Sequence, residues 1–178
     1  MQLKLILIRH GITAGNLERR YVGQADDQPL TERGKQELLT RRQQHGYPTA
    51  DALYVSPMRR CQETARLLYP MLVPVTIPAF AELDFGTFEG KTYEQLKDDP
   101  AYRRWVDTAG KSAPPDGESG EEFARRLQDG LRQIVADARR SGSRTLAVVT
   151  HGGCIMTMLS QLDAAPKDIN DFYSYLTP

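Results

Sequence analysis

Two short apolar runs, far apart in the chain, both end on a histidine followed by glycine. Leu5-Ile6-Leu7-Ile8 leads into Arg9-His10-Gly11, and Thr145-Leu146-Ala147-Val148-Val149-Thr150 leads into His151-Gly152-Gly153. Runs of this length, aliphatic and β-branched without polar alternation, are the pattern of strands buried on both faces, which belong to parallel sheets. Ligands of open α/β sheets collect in the crevice outside the carboxyl ends of the strands, where a terminal Arg-His pair points to phosphate chemistry. If the two strands are parallel neighbours, two of the three histidines of the chain face one cleft. The third, His45, precedes Gly46 at the polar end of an expected helix, where a cation suits the helix dipole.

The rest of the chain reads as repeated strand and helix units in one domain, residues 1–178. Strand one is expected over Leu3 to Ile8, followed by a long loop through Asn16, Gly23 and Pro29 and a helix from about Thr31. Asp51 to Val55 is the next strand, and Ser56-Pro57 reads as an N-cap and first helical residue of a helix running to Tyr69. Val73 to Ile77 carries an internal proline, which predicts an edge or irregular strand. Two short helices broken at Pro100 are expected between Thr92 and Ala109, then a Pro/Gly/Ser-rich loop, then the longest helix, Glu121 to Arg140, opened by a capping box in Ser119-Gly120-Glu121-Glu122. The expected architecture is a three-layer α/β/α sandwich around a mostly parallel sheet.

Composition narrows the classes of partner. Lys plus Arg and Asp plus Glu both number 23, so there is no broad basic field for nucleic acid or an anionic membrane, and positive potential must be local. No signal peptide or membrane-length apolar run is visible, and Cys61 and Cys154 read as buried or free thiols rather than a disulfide, which together predict a cytoplasmic protein, monomeric or a homodimer. No metal is expected: Walker, His-Glu-x-x-His and close cysteine patterns are absent, and the adjacent carboxylates Asp26-Asp27 and Asp98-Asp99 sit where loops and helix ends are the default.

Six separated segments, in order, resemble the motifs of the histidine phosphatase superfamily, which includes the cofactor-dependent phosphoglycerate mutases. They are Arg9-His10-Gly11 with Thr13 and Asn16; Pro29-Leu30-Thr31 with Gly34; Ser56-Pro57-Met58-Arg59-Arg60; Glu82-Leu83-Asp84-Phe85-Gly86 with Glu89-Gly90; Pro115-Asp116-Gly117-Glu118-Ser119; and His151-Gly152-Gly153. The resemblance implies a phosphoglycerate mutase-like fold and a phosphomonoesterase with no cofactor that acts on small phosphate esters. His10 is the implied nucleophile, since a neutral imidazole can hold a phosphoryl group and split one hydrolysis into two displacements. Arg9, Arg60 and a protonated His151 are implied as a clamp on the phosphoryl oxygens, with Asn16 adding a neutral donor and Thr13, Gly23 and Gly152 as possible substrate contacts. The family pattern places the binding arginine four residues beyond the serine, which selects Arg60 over Arg59. Glu82 matches the acid position four residues before Gly86, with hydrogen bonding to loop backbone left to Asp84 and Glu89.

Residues 85–118 resemble a family insertion over the active site. Tyr93, Tyr102 and Trp105 within it could stack on a leaving group, although anchoring the short helices to the core is the preferred reading. Two departures stand out. Ile12 takes a position where glutamate or glutamine is common in the family, and the chain stops at Pro178, soon after Asp171 to Leu176, where many relatives continue into another strand. Length, the Phe88 to Tyr93 segment and Asp116-Gly117-Glu118-Ser119 look most like short bacterial α-ribazole phosphatases of cobalamin nucleotide-loop assembly. A broad-specificity phosphatase or a mutase-like enzyme is the alternative, and a non-catalytic phosphoester-binding module is the reading from a different class.

Overall fold

The computed structural model describes residues 2–162. Within them the helices are α1 (Ala14–Leu17), α2 (Glu32–His45), α3 (Arg59–Leu68), α4 (Tyr93–Leu96), α5 (Pro100–Asp107), α6 (Gly120–Ser141) and α7 (Gly152–Leu162). The strands are β1 (Lys4–Arg9), β2 (Ala52–Val55), β3 (Pro74–Thr76) and β4 (Thr145–Thr150), in the sheet order β1-β4-β2-β3, and every pairing is parallel. None of these helices is long and apolar enough to cross a membrane.

The sheet divides the core into two halves. Leu53, Val55, Ala147 and Val149 point to one face, where Leu38 of α2 and Cys61, Ala65 and Leu68 of α3 cover them. Tyr54, Leu146 and Val148 point to the other, against Phe123, Leu127, Leu131 and Ile134 of α6 and Cys154 and Met158 of α7. The alternation of side chains along each strand thus feeds both layers of a three-layer sandwich. Central β4 is buried along nearly its full length, which explains why its sequence has no polar alternation. Each large aliphatic side chain buried here contributes about 1.5–3 kcal/mol.

Helix starts follow the local chemistry read from sequence. Ser119 caps α6 by accepting from the Glu122 backbone N–H, while the Glu122 carboxylate accepts from the Ser119 N–H. Thr31 caps α2, and Asp99 caps α5 with Pro100 in its first turn. His45 closes α2 just before Gly46, whose φ of 67° ends the helix.

Several boundaries move. β1 extends through Arg9, so His10 is the first residue beyond the sheet. β3 contracts to three residues around its proline, on the sheet edge. The helix expected from Pro57 begins at Arg59, with Met58 as an N-cap that makes no side-chain bond, while Ser56 Oγ accepts from the Met58 N–H at 3.3 Å and also meets His151. The long loop after β1 also contains a single helical turn, α1, held by a capping box between Thr13 and Asn16. The segment Asp171 to Leu176 and the chain end at Pro178 lie outside the described residues.

Candidate active site

Register places the two histidines side by side. Arg9 pairs with Thr150 in the β1/β4 ladder, so His10 and His151 are the next residues out of each strand, and the His10 N–H donates to the Thr150 carbonyl at 2.9 Å. Their rings meet edge to face with centroids 5.2 Å apart. Gly11 serves by close approach rather than an unusual turn: a Cβ there would stand 2.7 Å from Leu38 Cδ1, and its N–H donates to Thr64 Oγ1 at 3.0 Å.

The two rings are held differently. His10 is half-buried and its Nδ1 lies 2.7 Å from the Gly11 carbonyl, a bond in which only the nitrogen can donate, so the Nε2 lone pair is left available. Burial, with Arg60 and Arg9 nearby, pushes its pKa from 6.5 down to about 3, keeping the ring neutral. His151 is fully buried and engaged at both nitrogens. Arg60 Nε donates to Nδ1 at 3.3 Å, which assigns the proton to Nε2, and Nε2 then donates to Ser56 Oγ at 2.8 Å. Burial first, then His10, Arg60, Arg126 and Arg9, hold its pKa well below the ordinary value. The protonated His151 expected from sequence is therefore not the form this arrangement favours, because desolvation and four neighbouring groups all oppose a second proton.

Arg60 projects from the buried face of α3 and is itself fully buried. Besides His151 it donates to the carbonyls of Asp26 and Gly23, both at 3.0 Å, and so pins the long loop over the site. Gly23 sits in that loop as part of its wall, and its N–H donates to Glu89 Oε2. Arg59 turns outward and pairs with Glu63. Arg9, exposed at the end of β1, is close enough to depress both histidines. Asn16 lies in α1 rather than in open loop, and its Oδ1 accepts from the Thr13 N–H and hydroxyl. Thr13, expected as a possible substrate contact, is fully buried with its hydroxyl committed to this cap, so its part is to orient Asn16. Ile12 turns its carbonyl to the Thr31 N–H and hydroxyl, docking the start of α2.

Glu82 enters from the opposite side, on the segment after the 3-10 turn Pro78–Phe80. Its carboxyl group is buried, with Oε1 accepting from the Leu83 N–H at 2.9 Å and Oε2 from the Gly153 N–H at 3.3 Å. Gly152 and Gly153 open α7 directly after His151, and a Cβ on Gly153 would stand 2.6 Å from Glu82 Oε1. Desolvation raises the pKa of Glu82, and the two N–H bonds, Arg60 and Arg126 offset part of that. A carboxyl group held this way keeps its proton to higher pH than an exposed one, and so can give a proton and take it back. Asp84 and Glu89 do bond loop backbone: Asp84 accepts from Gly86, and Glu89 from Phe85 and Gly23.

Two cysteines flank the site as buried thiols. Cys61 Sγ lies 3.5 Å from His151 Nε2, and Cys154 Sγ lies 3.2 Å from the Ala81 carbonyl. Asp27 accepts from the first N–H of α3 and Asp99 caps α5. Among the described residues no group of three or more His, Cys, Asp or Glu is placed to hold a metal ion. Tyr102 and Trp105 anchor the short helices, packing with Phe88, Phe85 and Tyr21, and the Tyr21 and Tyr102 hydroxyls share a 2.6 Å hydrogen bond. Tyr93 instead is 58% exposed.

Residues that the sequence reading did not single out for the site also bear on it. Ser56 was expected only as a helix cap, yet it carries the Nε2 contact of His151. Arg126 of α6 donates to the Glu82 carbonyl and to Glu118. Its one sequence signal is its position three residues after Phe123, on the flank of the buried stripe.

Comparisons with known proteins identify the family. The model of the histidine phosphatase superfamily (branch 1) matches residues 5–174. A protein of Enterobacter sp. named probable phosphoglycerate mutase GpmB is 34% identical over 169 residues, covering 91% of this chain and 77% of that protein. The adenosylcobalamin/alpha-ribazole phosphatase of Escherichia coli is 31% identical over 171 residues, covering 93% and 82%. Among solved structures, the alpha-ribazole phosphatase from Shigella flexneri superposes with a TM-score of 0.81 at 26% identity, over 96% of this chain and 83% of that one. A phosphoglycerate mutase from Bacillus anthracis gives 0.80 at 26% identity, over 91% and 80%. With a parallel sheet that delivers two histidines to one cleft and a family match over nearly its whole length, this chain belongs to the histidine phosphatase superfamily, as a phosphatase or mutase enzyme with a phosphoglycerate mutase-like fold.

Proposed function

We propose that the protein is a phosphomonoester hydrolase working through a phosphohistidine on His10, with α-ribazole 5′-phosphate as its substrate. The observation that carries this reading is the neutral, half-buried His10 with Nδ1 committed to the Gly11 carbonyl and Nε2 free beside Arg60 and Arg9. In the first step the Nε2 lone pair attacks phosphorus, the ester P–O bond breaks, and Glu82 gives its proton to the departing alkoxide. In the second, water attacks phosphorus and yields a proton to the Glu82 carboxylate, the P–N bond breaks, and inorganic phosphate leaves.

Charge on the phosphoryl oxygens is met by Arg9 and Arg60, by the amide N–H groups of Asn16, and by His151, whose Nε2–H exchanges Ser56 for a phosphoryl oxygen. An arriving phosphate dianion reverses the balance that keeps His151 neutral, because an opposite charge at contact favours the imidazolium. Gly23 and Gly152 contribute backbone to the wall of the site. With cations supplied by side chains, activity is expected to persist in excess chelator. Residues 85–118 form the cover on the leaving-group side, where the exposed Tyr93 ring is available to a substrate.

The substrate class rests on relatives named alpha-ribazole phosphatase, and a second reading rests on the 34% identical relative named as a mutase. One panel separates them: kcat/KM for α-ribazole 5′-phosphate, 3-phosphoglycerate, phosphoserine, sugar phosphates and an aryl phosphate, all in excess chelator, scored as ratios. A preference of at least about 100-fold for α-ribazole 5′-phosphate supports the assignment. Phosphoryl return to a second hydroxyl of 3-phosphoglycerate, rather than release of phosphate, replaces it with mutase activity. A flat profile makes the enzyme a broad phosphatase, loss of turnover restored by a divalent metal refutes metal independence, and no turnover with any ester leaves a binding module.

A further inference from the structure

Arg126 is unusual among the arginines of the chain in how completely its donors are used. A guanidinium has five N–H groups. Here Nε donates to Glu118 Oε1 at 2.7 Å, Nη1 to the carbonyls of Ala79 and Ala81 at 2.7 and 2.8 Å, and Nη2 to the Glu82 carbonyl at 2.8 Å and Glu118 Oε2 at 2.9 Å. All five donors are thereby spent within the protein, so the side chain has none to offer a substrate. Its underside lies 4.8 Å over the Phe123 ring, which fixes the plane of the fork.

Each partner belongs to the structure around Glu82. The three carbonyls are those of the segment that carries the carboxyl group into the site. Glu118 comes from the loop before α6, and its own N–H donates to the Asp84 carbonyl at 3.0 Å, so the ion pair and this bond bracket Glu82 from both sides. The side chains of Arg126 and Glu118 are 23% and 14% exposed, a setting in which a bidentate pair keeps its geometry better than a solvated one. Helix α6 thus acts as a rigid rail, packed on the sheet through Phe123 and Leu127 on either side of Arg126.

We infer that Arg126, braced by Glu118, is a positioning residue that holds the Glu82 carboxyl group at the leaving oxygen without touching substrate. The inference rests on the proposed role of Glu82 as proton donor and adds the element that sets its aim. Lysine cannot reproduce the fork, since a point ammonium with three donors cannot span three carbonyls and both oxygens of Glu118.

The test is a double-mutant cycle of R126K and E82Q, read as kcat and KM on an alkyl phosphate and on an activated aryl phosphate whose leaving group departs without a proton. R126K is expected to lower kcat on the alkyl ester by about 10–100-fold, as a misplacement of about 1 Å does, with KM and aryl turnover near those of the parent. In the E82Q background R126K is expected to change alkyl turnover by less than about twofold. Equal loss on both esters, a rise in KM alone, or full additivity of the two substitutions would overturn the inference. If E82Q itself loses both substrates equally, the proton-donor role of Glu82 falls, while non-additivity still places Arg126 behind Glu82. Should R126K fail to fold by circular dichroism, E118Q, which removes the charge that braces the fork, is read in the same cycle with the same pattern at smaller amplitude.

Discussion

The two strand-histidine-glycine junctions look alike in sequence and are opposites in structure. His10 stands half-buried at the mouth of the cleft with one nitrogen bonded to its own neighbour and the other unengaged among the described residues. His151 is sealed from solvent, with Ser56 on one nitrogen and Arg60 on the other. The same register delivers both, so the difference comes from what packs around each ring. β1 has a sheet neighbour on one side among the described strands, whereas β4 is flanked by β1 and β2 and is covered by α3. The lesson is that a repeated motif specifies where a side chain emerges, and the surrounding layers decide how exposed and how engaged it is.

Substitutions can break that comparison. The largest effect is expected at His10: H10Q should lower kcat by about 10⁴-fold or more, as loss of a nucleophile does, and should abolish an acid-labile phosphoenzyme trapped with labelled substrate. Label on serine, aspartate or His151 would invert the roles. H151Q is expected to cost about 10²–10³-fold, the range for loss of one charge-stabilising donor, while a phosphoenzyme still forms on His10 in single turnover. Complete loss of labelling in H151Q would make the two histidines equivalent.

Stability against pH tests whether His10 is neutral for the reason given. Its pKa falls from 6.5 to about 3 on folding, so between those values the unfolded chain binds a proton that the folded protein refuses. Folding stability should therefore be fully present above pH 6.5 and be lost as pH falls toward about 3, the direction linkage requires for a histidine with a depressed pKa. The Tm of H10Q should fall less steeply over that window than that of the parent, and parallel curves would show that His10 is not desolvated. The smallest effect belongs to Ser56. S56A removes one neutral hydrogen bond to His151, worth about 0.5–1.5 kcal/mol, and should reduce kcat by less than about tenfold at unchanged KM. A loss as large as that of H151Q would show that Ser56 sets more than ring orientation.

Much of the fold was legible because its signals are local. The unbroken aliphatic run of β4 reports burial on both faces, Ser119 with Glu122 and Thr31 report helix starts within one turn, and the proline in β3 reports an edge. Where a local signal misled, a distant partner had claimed the group. Ser56 and Pro57 carry the pattern of a helix start, but the hydroxyl is shared between the Met58 N–H and a ring 95 residues away, and the helix waits until Arg59. Thr13, expected as a possible substrate contact, is buried and spends its hydroxyl on the cap of α1.

By itself the sequence determined the parallel α/β plan, the emergence of two histidines at strand ends, and the candidate set His10, His151, Arg60 and Glu82, because residue type, period and motif order are properties of the chain alone. Only the tertiary structure decided how those residues are held. Proton placement on His151 depends on Arg60 reaching it across 91 residues, and the aim of Glu82 depends on a fork 44 residues further along the chain. Desolvation sets the charge of both histidines and of Glu82, and it exists only once the sheet and its helices have closed over them.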